Sequence, residues 1–406
     1  MSSETPEIET AKQIQDAAEE SKTTNKFVLQ YLGDIPSALV KNEIAIKVLS
    51  RQAKLLPNLE EFHIIACNIP RDAFRYLAAG LKSNARIALV EFSDFVLDDS
   101  AARDLALVIR SNRSITSLCI TKATVTETGI KMIATAIKDS KTLEMLALNE
   151  TPLSNLACEH ISEMLNGNTS LKFLHLQGCD ITSHGLFVIS QALKFNKSLQ
   201  RLDLSQNSFD SNYGMENMGL ALKDNSTLQV LNLSNNAIND EAATAIFMGL
   251  GRNTSVVTFA MGGIGVEEKE DTPLKSCSEL AEMLKANKTL KNLSVFSFVF
   301  RNRGLRAIAN GLKKNDTLEE LVISGNMFDN EGAKHLLGAL DVNKTLRSVV
   351  LTKDDDGKAE KIRSPPIDGE DSDEDFDEDS DISEEDLMII SDEMFMEIKK
   401  KLVGRG

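Results

Sequence analysis

Hydrophobic residues recur along most of the chain at a nearly constant distance. The phrase Asn-x-(Thr/Ser)-Leu-x-x-Leu-x-Leu returns eleven times, and eight of its ten steps are 28 residues long, with one of 29 and one of 34. Such a period predicts stacked supersecondary units, because one unit alone buries too little apolar surface to fold. The leading aliphatic residues are Leu59, Ile87, Ile115, Leu143, Leu171, Leu199, Leu228, Val256, Leu290, Leu318 and Leu346.

Each unit predicts a short strand, a turn and a helix. In the sixth unit, Leu202 and Leu204 alternate with polar residues, as a strand with one buried face requires, and Asn207 lies in the turn. In the third unit, residues 129–138 have the apolar spacing of an amphipathic helix. The asparagine at the end of most helices suits a C-cap. Many of these asparagines also match the N-x-S/T glycosylation pattern, and we interpret that match as part of the repeat consensus.

Stacked units of this kind predict an α/β solenoid shaped as a horseshoe, with a parallel inner sheet and outer helices. Ten steps of about 4.8 Å give the inner sheet a length of about 48 Å. The unit resembles the leucine-rich repeat of ribonuclease-inhibitor type over residues 59–351. That resemblance implies the same fold and leaves the function open, because a fold does not set function.

The segments outside the period differ in composition. Residues 1–24 are polar and predicted to be disordered, and residues 25–56 predict two short helices that cap the first of the eleven repeats, which occupy residues 57–352. Residues 353–383 predict a linker and an acidic disordered segment. Residues 384–402 predict an amphipathic helix, which could pack on the last repeat or on a partner.

The net charge of −16 is concentrated at the carboxyl end of the chain. Residues 353–406 contain 8 Lys/Arg and 20 Asp/Glu, so 8 − 20 gives −12 there and leaves −4 for residues 1–352. An acidic tail of this kind binds basic proteins or only keeps the chain soluble, and both interpretations stay open.

No targeting or cofactor signal is evident in the sequence. The amino terminus lacks a signal-peptide pattern, no apolar run is long enough for a membrane span, and the five cysteines form no CxxC pair. We therefore expect a cytoplasmic protein, or a perinuclear or nuclear one, rather than a secreted one. We expect no cofactor, no metal and no membrane contact.

No catalytic motif stands out, so we expect a binding surface rather than a self-contained active site. Outward-facing strand and turn positions carry apolar groups mixed with isolated charges, a mixture that favours a protein partner over nucleic acid, and we expect the chain to be a monomer. The candidate partner-binding residues are Glu61, Glu91, Asp94, Met145, Phe173, Arg201, Asp203, Phe296 and Glu320.

The first two repeats carry a more specific signature. Asn68-Ile69, the helix over residues 73–81 and the strand Val90-Glu91-Phe92-Ser93-Asp94-Phe95 resemble the Ran GTPase-activating protein family. That family also has eleven repeats followed by an acidic stretch. The resemblance implies that the first few repeats bind Ran or a related small GTPase and could regulate its GTP hydrolysis.

The chain departs from that family where the chemistry is expected. In the family, the same strand leads into a loop with Thr-Gly-Arg, whose arginine is linked to GTPase stimulation. Here the chain passes through Asp98 and Asp99 directly into a helix, and Thr151 stands near the place of a strand-end asparagine. A carboxylate beside a triphosphate would repel it. We therefore expect a non-enzymatic module that binds a Ran-like GTPase.

Two alternatives to this interpretation remain. The first is a general leucine-rich-repeat scaffold that binds an unrelated protein on its concave face. The second, less favoured, is a tropomodulin-like actin capper, which residues 279–298 resemble. Tropomodulin-like proteins have about half as many repeats, together with a tropomyosin-binding amino-terminal region that is not evident here.

Overall fold

The structure is a computed structural model of the chain. It describes residues 20, 25–30, 59–66, 69, 71–209, 211–262, 274–353, 359–363 and 391–402. The chain divides into two compact units. The first comprises Met1–Ile181 and Asn196–Arg201, and the second comprises Thr182–Phe195 and Leu202–Gly406.

The first unit contains a parallel sheet and a layer of helices. Its sheet strands, in spatial order, are β1 (Lys26–Gln30), β2 (Glu61–Ile65), β3 (Leu89–Ser93), β5 (Ser117–Thr121), β7 (Met145–Ala147) and β8 (Phe173–His175). The two-residue strands β4 (Val96–Leu97) and β6 (Thr124–Val125) pair separately. The helices are α1 (Arg71–Ser83), α2 (Asp99–Ser111), α3 (Glu127–Asp139) and α4 (Asn155–Gly167).

The second unit repeats the same architecture. Its strands are β9 (Arg201–Asp203), of which Leu202 and Asp203 belong to this unit, β10 (Val230–Leu233), β11 (Thr258–Gly262), β12 (Asn292–Phe296), β13 (Glu320–Val322), β14 (Ser348–Lys353) and β15 (Ala359–Arg363). The helices are α5 (Ser183–Phe195), α6 (Asn212–Asp224), α7 (Asp240–Leu250), α8 (Lys275–Ala286), α9 (Arg301–Leu312), α10 (Asn330–Leu340) and α11 (Asp392–Leu402).

The hydrophobic period of the sequence coincides with the core. All eleven leading aliphatic residues are buried, and the most exposed of them, Ile115, is 5% exposed. Strands β2, β3 and β5 alternate buried and half-buried residues, as one core-facing side of a sheet requires. The predicted α/β solenoid, with a parallel sheet, is confirmed, and a helix follows the strand in each of the first ten repeats.

The asparagine at the end of most repeats joins one repeat to the preceding one. The Asn112 Nδ2 donates to the carbonyl oxygens of Leu81 at 2.9 Å and Asn84 at 2.8 Å, while its Oδ1 accepts from the Ile115 N–H at 2.9 Å. The side chain is 3% exposed, so its amide is fully used inside the protein. Equivalent bonds to the preceding repeat are made by Asn168, Asn196, Asn225, Asn253, Asn287, Asn315 and Asn343.

The amino-terminal cap differs from the predicted helix. Residues 26–30 form strand β1, which pairs in parallel with β2. The Phe27 ring stacks on the Phe62 ring with centroids 5.2 Å apart. A strand is favoured here because it satisfies the backbone groups of β2 that would otherwise form an open sheet edge. The rest of the predicted cap, residues 31–56, lies outside the described residues, as does residue range 1–24 except for Glu20.

At the other end, a strand and a helix follow the last repeat. Strand β15, in the range predicted to be linker and disordered segment, pairs antiparallel with β14. Helix α11 packs on α10 with Ile398 and Leu402 buried, and the Ser391 N–H donates to the Asn330 Oδ1 at 3.0 Å. Of the two interpretations of the final helix, the structure therefore has the one in which it packs on the repeats, against the helix of the tenth.

None of the described helices combines the length and the apolar composition needed to span a lipid bilayer.

Candidate functional site

A group of charged side chains lies on the outward face of the first unit's sheet. We call Lys26, Glu61, His63 and Glu91 the charged cluster. The Lys26 Nζ lies 2.8 Å from the Glu61 Oε2, which lies 3.2 Å from the His63 Nε2. The His63 Nδ1 lies 2.5 Å from the Glu91 Oε2. Both ring nitrogens thus face a carboxylate, an arrangement in which only the doubly protonated imidazolium donates to both.

The sheet register produces this cluster. Lys26 is directly opposite Glu61, and His63 is directly opposite Glu91. Outward positions one repeat apart are therefore neighbours on adjacent strands. The side chains of Lys26 and Glu61 are 53% and 32% exposed, so the cluster is open to a partner.

The local charges hold the Glu61 carboxyl in its anionic form. A hydrogen bond from Lys26 is the main cause that lowers the pKa of Glu61 below its usual 4.5, and the hydrogen bond with His63 acts in the same direction. Partial desolvation opposes both effects. At neutral pH the cluster therefore presents a fixed negative charge at Glu61.

Cys119 lies opposite Glu91 on the next strand. Burial, and secondarily the charge of Glu91, raises the pKa of the Cys119 thiol to about 11. The thiolate is the nucleophilic form of cysteine. Cys119 therefore stays protonated at neutral pH and does not suit nucleophilic catalysis.

Apolar side chains lie on the same outward face of the sheet as the charged cluster. Met145 and Phe173 are directly opposite each other on β7 and β8, and both are half-buried. Of the predicted binding residues, the structure brings Glu61 and Glu91 together through His63, and Met145 beside Phe173. His63 is not among the predicted binding residues, although its 28-residue separation from Glu91 indicates the contact. Lys26 is not among them either, because its segment was predicted to be helical.

Asp94 occupies the turn after β3. Its φ is 51°, and its N–H donates to the Thr121 carbonyl at 3.0 Å. Ala66, Lys122 and Glu150 have the same left-handed conformation after their strands, so it belongs to the repeat. Asp tolerates this region better than most residues do, and the exposed Asp94 side chain stays available to a partner.

The two carboxylates that follow this turn serve the repeat itself. The Asp98 Oδ1 accepts from the N–H groups of Ser100 at 2.9 Å and Ala101 at 2.8 Å, as an N-cap of α2. The Asp99 side chain accepts a hydrogen bond from the Thr126 hydroxyl. The chain between β3 and α2 is thus a turn and a two-residue strand.

Thr151 stands at the position of the turn asparagine. It is fully buried, and its hydroxyl donates to the Ile120 carbonyl at 3.1 Å and accepts from the Ala123 N–H at 3.2 Å. In the second unit, Asn236 makes the corresponding bonds to the preceding repeat. Thr151 therefore replaces the turn asparagine in part, because its hydroxyl makes the two bonds to the preceding repeat.

The predicted residues of β9 and β13 lie at outward, half-buried positions: Arg201, Asp203 and Glu320. The Asp203 Oδ1 accepts from the Ser205 hydroxyl at 2.7 Å and from its N–H at 2.9 Å. Asp203 thus stabilises the end of its own strand.

The prediction that Phe296 is an exposed binding residue is wrong. Phe296 is 2% exposed, and the register places it opposite Gly262. A Cβ atom on Gly262 would lie 2.6 Å from the Phe296 ring, so the ring fills the space that the glycine leaves empty. The ring is therefore buried although its strand position faces outward.

Within the part of the chain that the structure describes, no group of three or more His, Cys, Asp or Glu side chains is arranged to hold a metal ion. His63 is held between two carboxylates, and Cys119 is protonated. The site is therefore suited to recognition through fixed charges and apolar contacts.

Three segments of the chain match a family model described as Leucine Rich repeat: residues 167–190, 224–247 and 314–337. The chain contains leucine-rich repeats. The matched segments cover the ends and beginnings of successive repeats in the described fold. No curated protein matches the sequence of the chain.

Solved structures similar to the leucine-rich-repeat chain include two whose names mention a partner. One is "Leiomodin-1 Actin-Binding Site 2 (ABS2)", with 23% identity, 33% of this chain and 78% of that chain covered, and a TM-score of 0.31. The other is the Rad7 and Elc1 complex in yeast, with 14% identity and a TM-score of 0.46. The match covers 85% of this chain and 75% of that chain.

Proposed function

We propose that this leucine-rich-repeat chain is a non-enzymatic scaffold whose protein partner binds the sheet face of the first unit. The observation that carries the proposal is the partly exposed charged cluster, with Met145 and Phe173 on the same face. Protein interfaces combine an apolar centre with polar groups that fix orientation. The mutual hydrogen bonds of the cluster hold its charges in place before binding, which reduces the entropy cost of association.

The partner that we propose is a Ran-like small GTPase. The support is the resemblance of the strand Glu91-Phe92-Ser93-Asp94 to the Ran GTPase-activating family, together with the repeat number and the acidic stretch. Glu91 and Asp94 are both accessible. Binding of basic proteins by the acidic residues 370–386 is a separate prediction, and that segment lies outside the described residues.

We expect binding without stimulation of GTP hydrolysis. Stimulation requires a group that stabilises the charge developing on the transferred phosphoryl group, as an arginine does. The turn over residues 94–98 contains no arginine, and the carboxylate of Asp98 is engaged as a helix cap. No cation from this turn can reach a bound triphosphate.

The test combines a binding assay and a hydrolysis assay with Ran loaded with GTP or GDP. The wild-type chain should bind one nucleotide state without accelerating hydrolysis. Glu91→Lys and Phe173→Ser should each weaken binding about tenfold or more, because they change the centre of the proposed interface. Glu163→Lys, on the exposed face of α4, is the matched control and should bind like the wild type.

Different outcomes exclude different parts of the proposal. No binding in either nucleotide state would exclude the GTPase and leave a scaffold for an unrelated protein. Faster GTP hydrolysis would contradict the non-enzymatic assignment. Equal binding by Glu91→Lys and Glu163→Lys, with both variants folded by circular dichroism, would exclude the sheet face.

A further inference from the structure

A groove lies between helices α2 and α3 of the first unit, on the helical layer rather than on the sheet. Its volume is about 320 Å³. We call it the arginine groove. It is lined by Arg103, Ala106, Leu107 and Arg110 of α2 and by Thr128, Lys131, Met132 and Thr135 of α3.

The spacing of these residues sets the shape of the surface. Arg103, Leu107 and Arg110 are four and three residues apart, so they lie on one face of α2, with an arginine one turn before and one turn after the leucine. Leu107 is 49% exposed, and the half-buried Met132 lines the groove from α3. The groove therefore has an apolar centre between cationic ends.

The cations of the groove are not held in ion pairs. Arg103, Arg110 and Lys131 form no ion pair with any residue that the structure describes, and no carboxylate lines the groove. Exposed lysines elsewhere in this unit do pair, such as Lys122 with Glu150 at 3.5 Å. The groove is thus a positive patch on a chain whose net charge is −16.

We propose that the arginine groove binds an acidic amphipathic helix of a partner protein. Arg103 and Arg110 are separated by seven residues, which corresponds to about 10 Å along a helix. A partner helix with an apolar residue flanked by carboxylates three or four residues away on each side has the same spacing. Its apolar side chain contacts Leu107 and Met132, and its carboxylates pair with the two arginines.

This surface is separate from the sheet face proposed to bind the main partner. The charged cluster faces outward from the sheet, whereas the arginine groove is formed by two helices. The two proposals can therefore fail independently.

The probe is a synthetic helical peptide in which a leucine is flanked by glutamates at those spacings. Binding to the full chain is measured by fluorescence anisotropy. We expect saturable binding that weakens as ionic strength rises, because the ion pairs are exposed. The double variant R103E/R110E should weaken binding about tenfold or more, and Leu107→Ser should weaken it several-fold.

Matched controls separate the groove from general charge or stickiness. Arg113→Glu changes an exposed cation beyond the end of α2, and Leu156→Ser changes a leucine on α4 that is 42% exposed. Both should bind the peptide as the wild type does. Unchanged thermal unfolding verifies that all variants are folded.

Three results would overturn the proposal. The first is no binding of the peptide to the wild-type chain. The second is an equal loss of binding in the groove variants and the control variants. The third is equally tight binding of a peptide that keeps the glutamates but has serine in place of the leucine.

Discussion

The sheet faces of the two units differ although their backbones repeat the same pattern. The central outward row of the first unit contains the partly exposed His63 and Glu91. The corresponding row of the second unit includes Ala260, Ser294 and Val350, which are at most 5% exposed, and the half-buried Val322 between the last two. A strand position that faces outward is therefore not necessarily accessible, and the first unit is the better candidate for binding through its sheet.

The turns that follow the strands also differ between the two units, in the hydrogen bonds of one side chain. In the second unit, Asn236 bonds the Leu204 and Leu233 carbonyls at 3.0 and 2.9 Å and accepts from the Asn207 N–H at 2.9 Å. In the first unit, the hydroxyl of Thr151 makes one donated and one accepted bond of this kind. Both side chains thus make two bonds to the preceding turn, and Asn236 adds a bond to the Leu233 carbonyl of its own repeat. We therefore expect Asn236 to contribute more to stability than Thr151.

The largest effect should come from removing a turn asparagine. Asn236→Ala leaves two buried carbonyls and one buried N–H without this partner, and we expect a loss on the order of 3 kcal/mol in the free energy of unfolding. Thr151→Ala should cost about half of that. Urea unfolding followed by circular dichroism measures both, and an equal cost would contradict the comparison of the turns.

The next effect concerns the burial of Phe296. Gly262→Val places side-chain atoms where the Phe296 ring lies, and we expect a loss of about 2 kcal/mol from overpacking. The matched change in the first unit is Ser93→Val, at a half-buried outward position, which should alter stability by less than about 0.5 kcal/mol. Similar losses in both variants would show that the two faces are equally packed.

A smaller effect concerns thiol reactivity. With a pKa of about 11, Cys119 is a thiolate in only about one molecule in a thousand at pH 8, so alkylation should be slow. Glu91→Gln removes the charge that disfavours the thiolate and should speed alkylation of Cys119 a few-fold. Cys277, 1% exposed in the second unit, should not respond. Mass spectrometry of the two cysteine peptides provides the measurement.

The smallest effect concerns the pH dependence of Glu61. Because its folded pKa is lowered, the stabilisation is present above the ordinary value of 4.5 and is lost as pH falls through the lower folded pKa. Lys26→Ala should move the Glu61 pKa upward in an NMR titration. The effect on stability at neutral pH should stay below about 0.5 kcal/mol, since the pair is exposed. An unchanged pKa would mean that Lys26 does not control Glu61.

Much of the candidate site could be derived from the sequence. A period of 28 residues makes outward residues one repeat apart into neighbours, so the contact between His63 and Glu91 is implied by their numbering. Lys26 could not be assigned in this way, because it precedes the first copy of the period. Its hydrophobic neighbours fit a helix as well as a strand. The segment forms a strand because it pairs with the otherwise open edge of β2.

The sequence alone therefore determined the repeating unit, the core positions and the asparagines that cap the helices, because each follows from spacing along the chain. The tertiary structure alone decided which outward residues are accessible. Phe296 is buried because the residue opposite it is Gly262, while Glu91 remains half-exposed beside His63. Accessibility depends on the volume of the side chains on neighbouring strands, and that volume is specified by residues a whole repeat away.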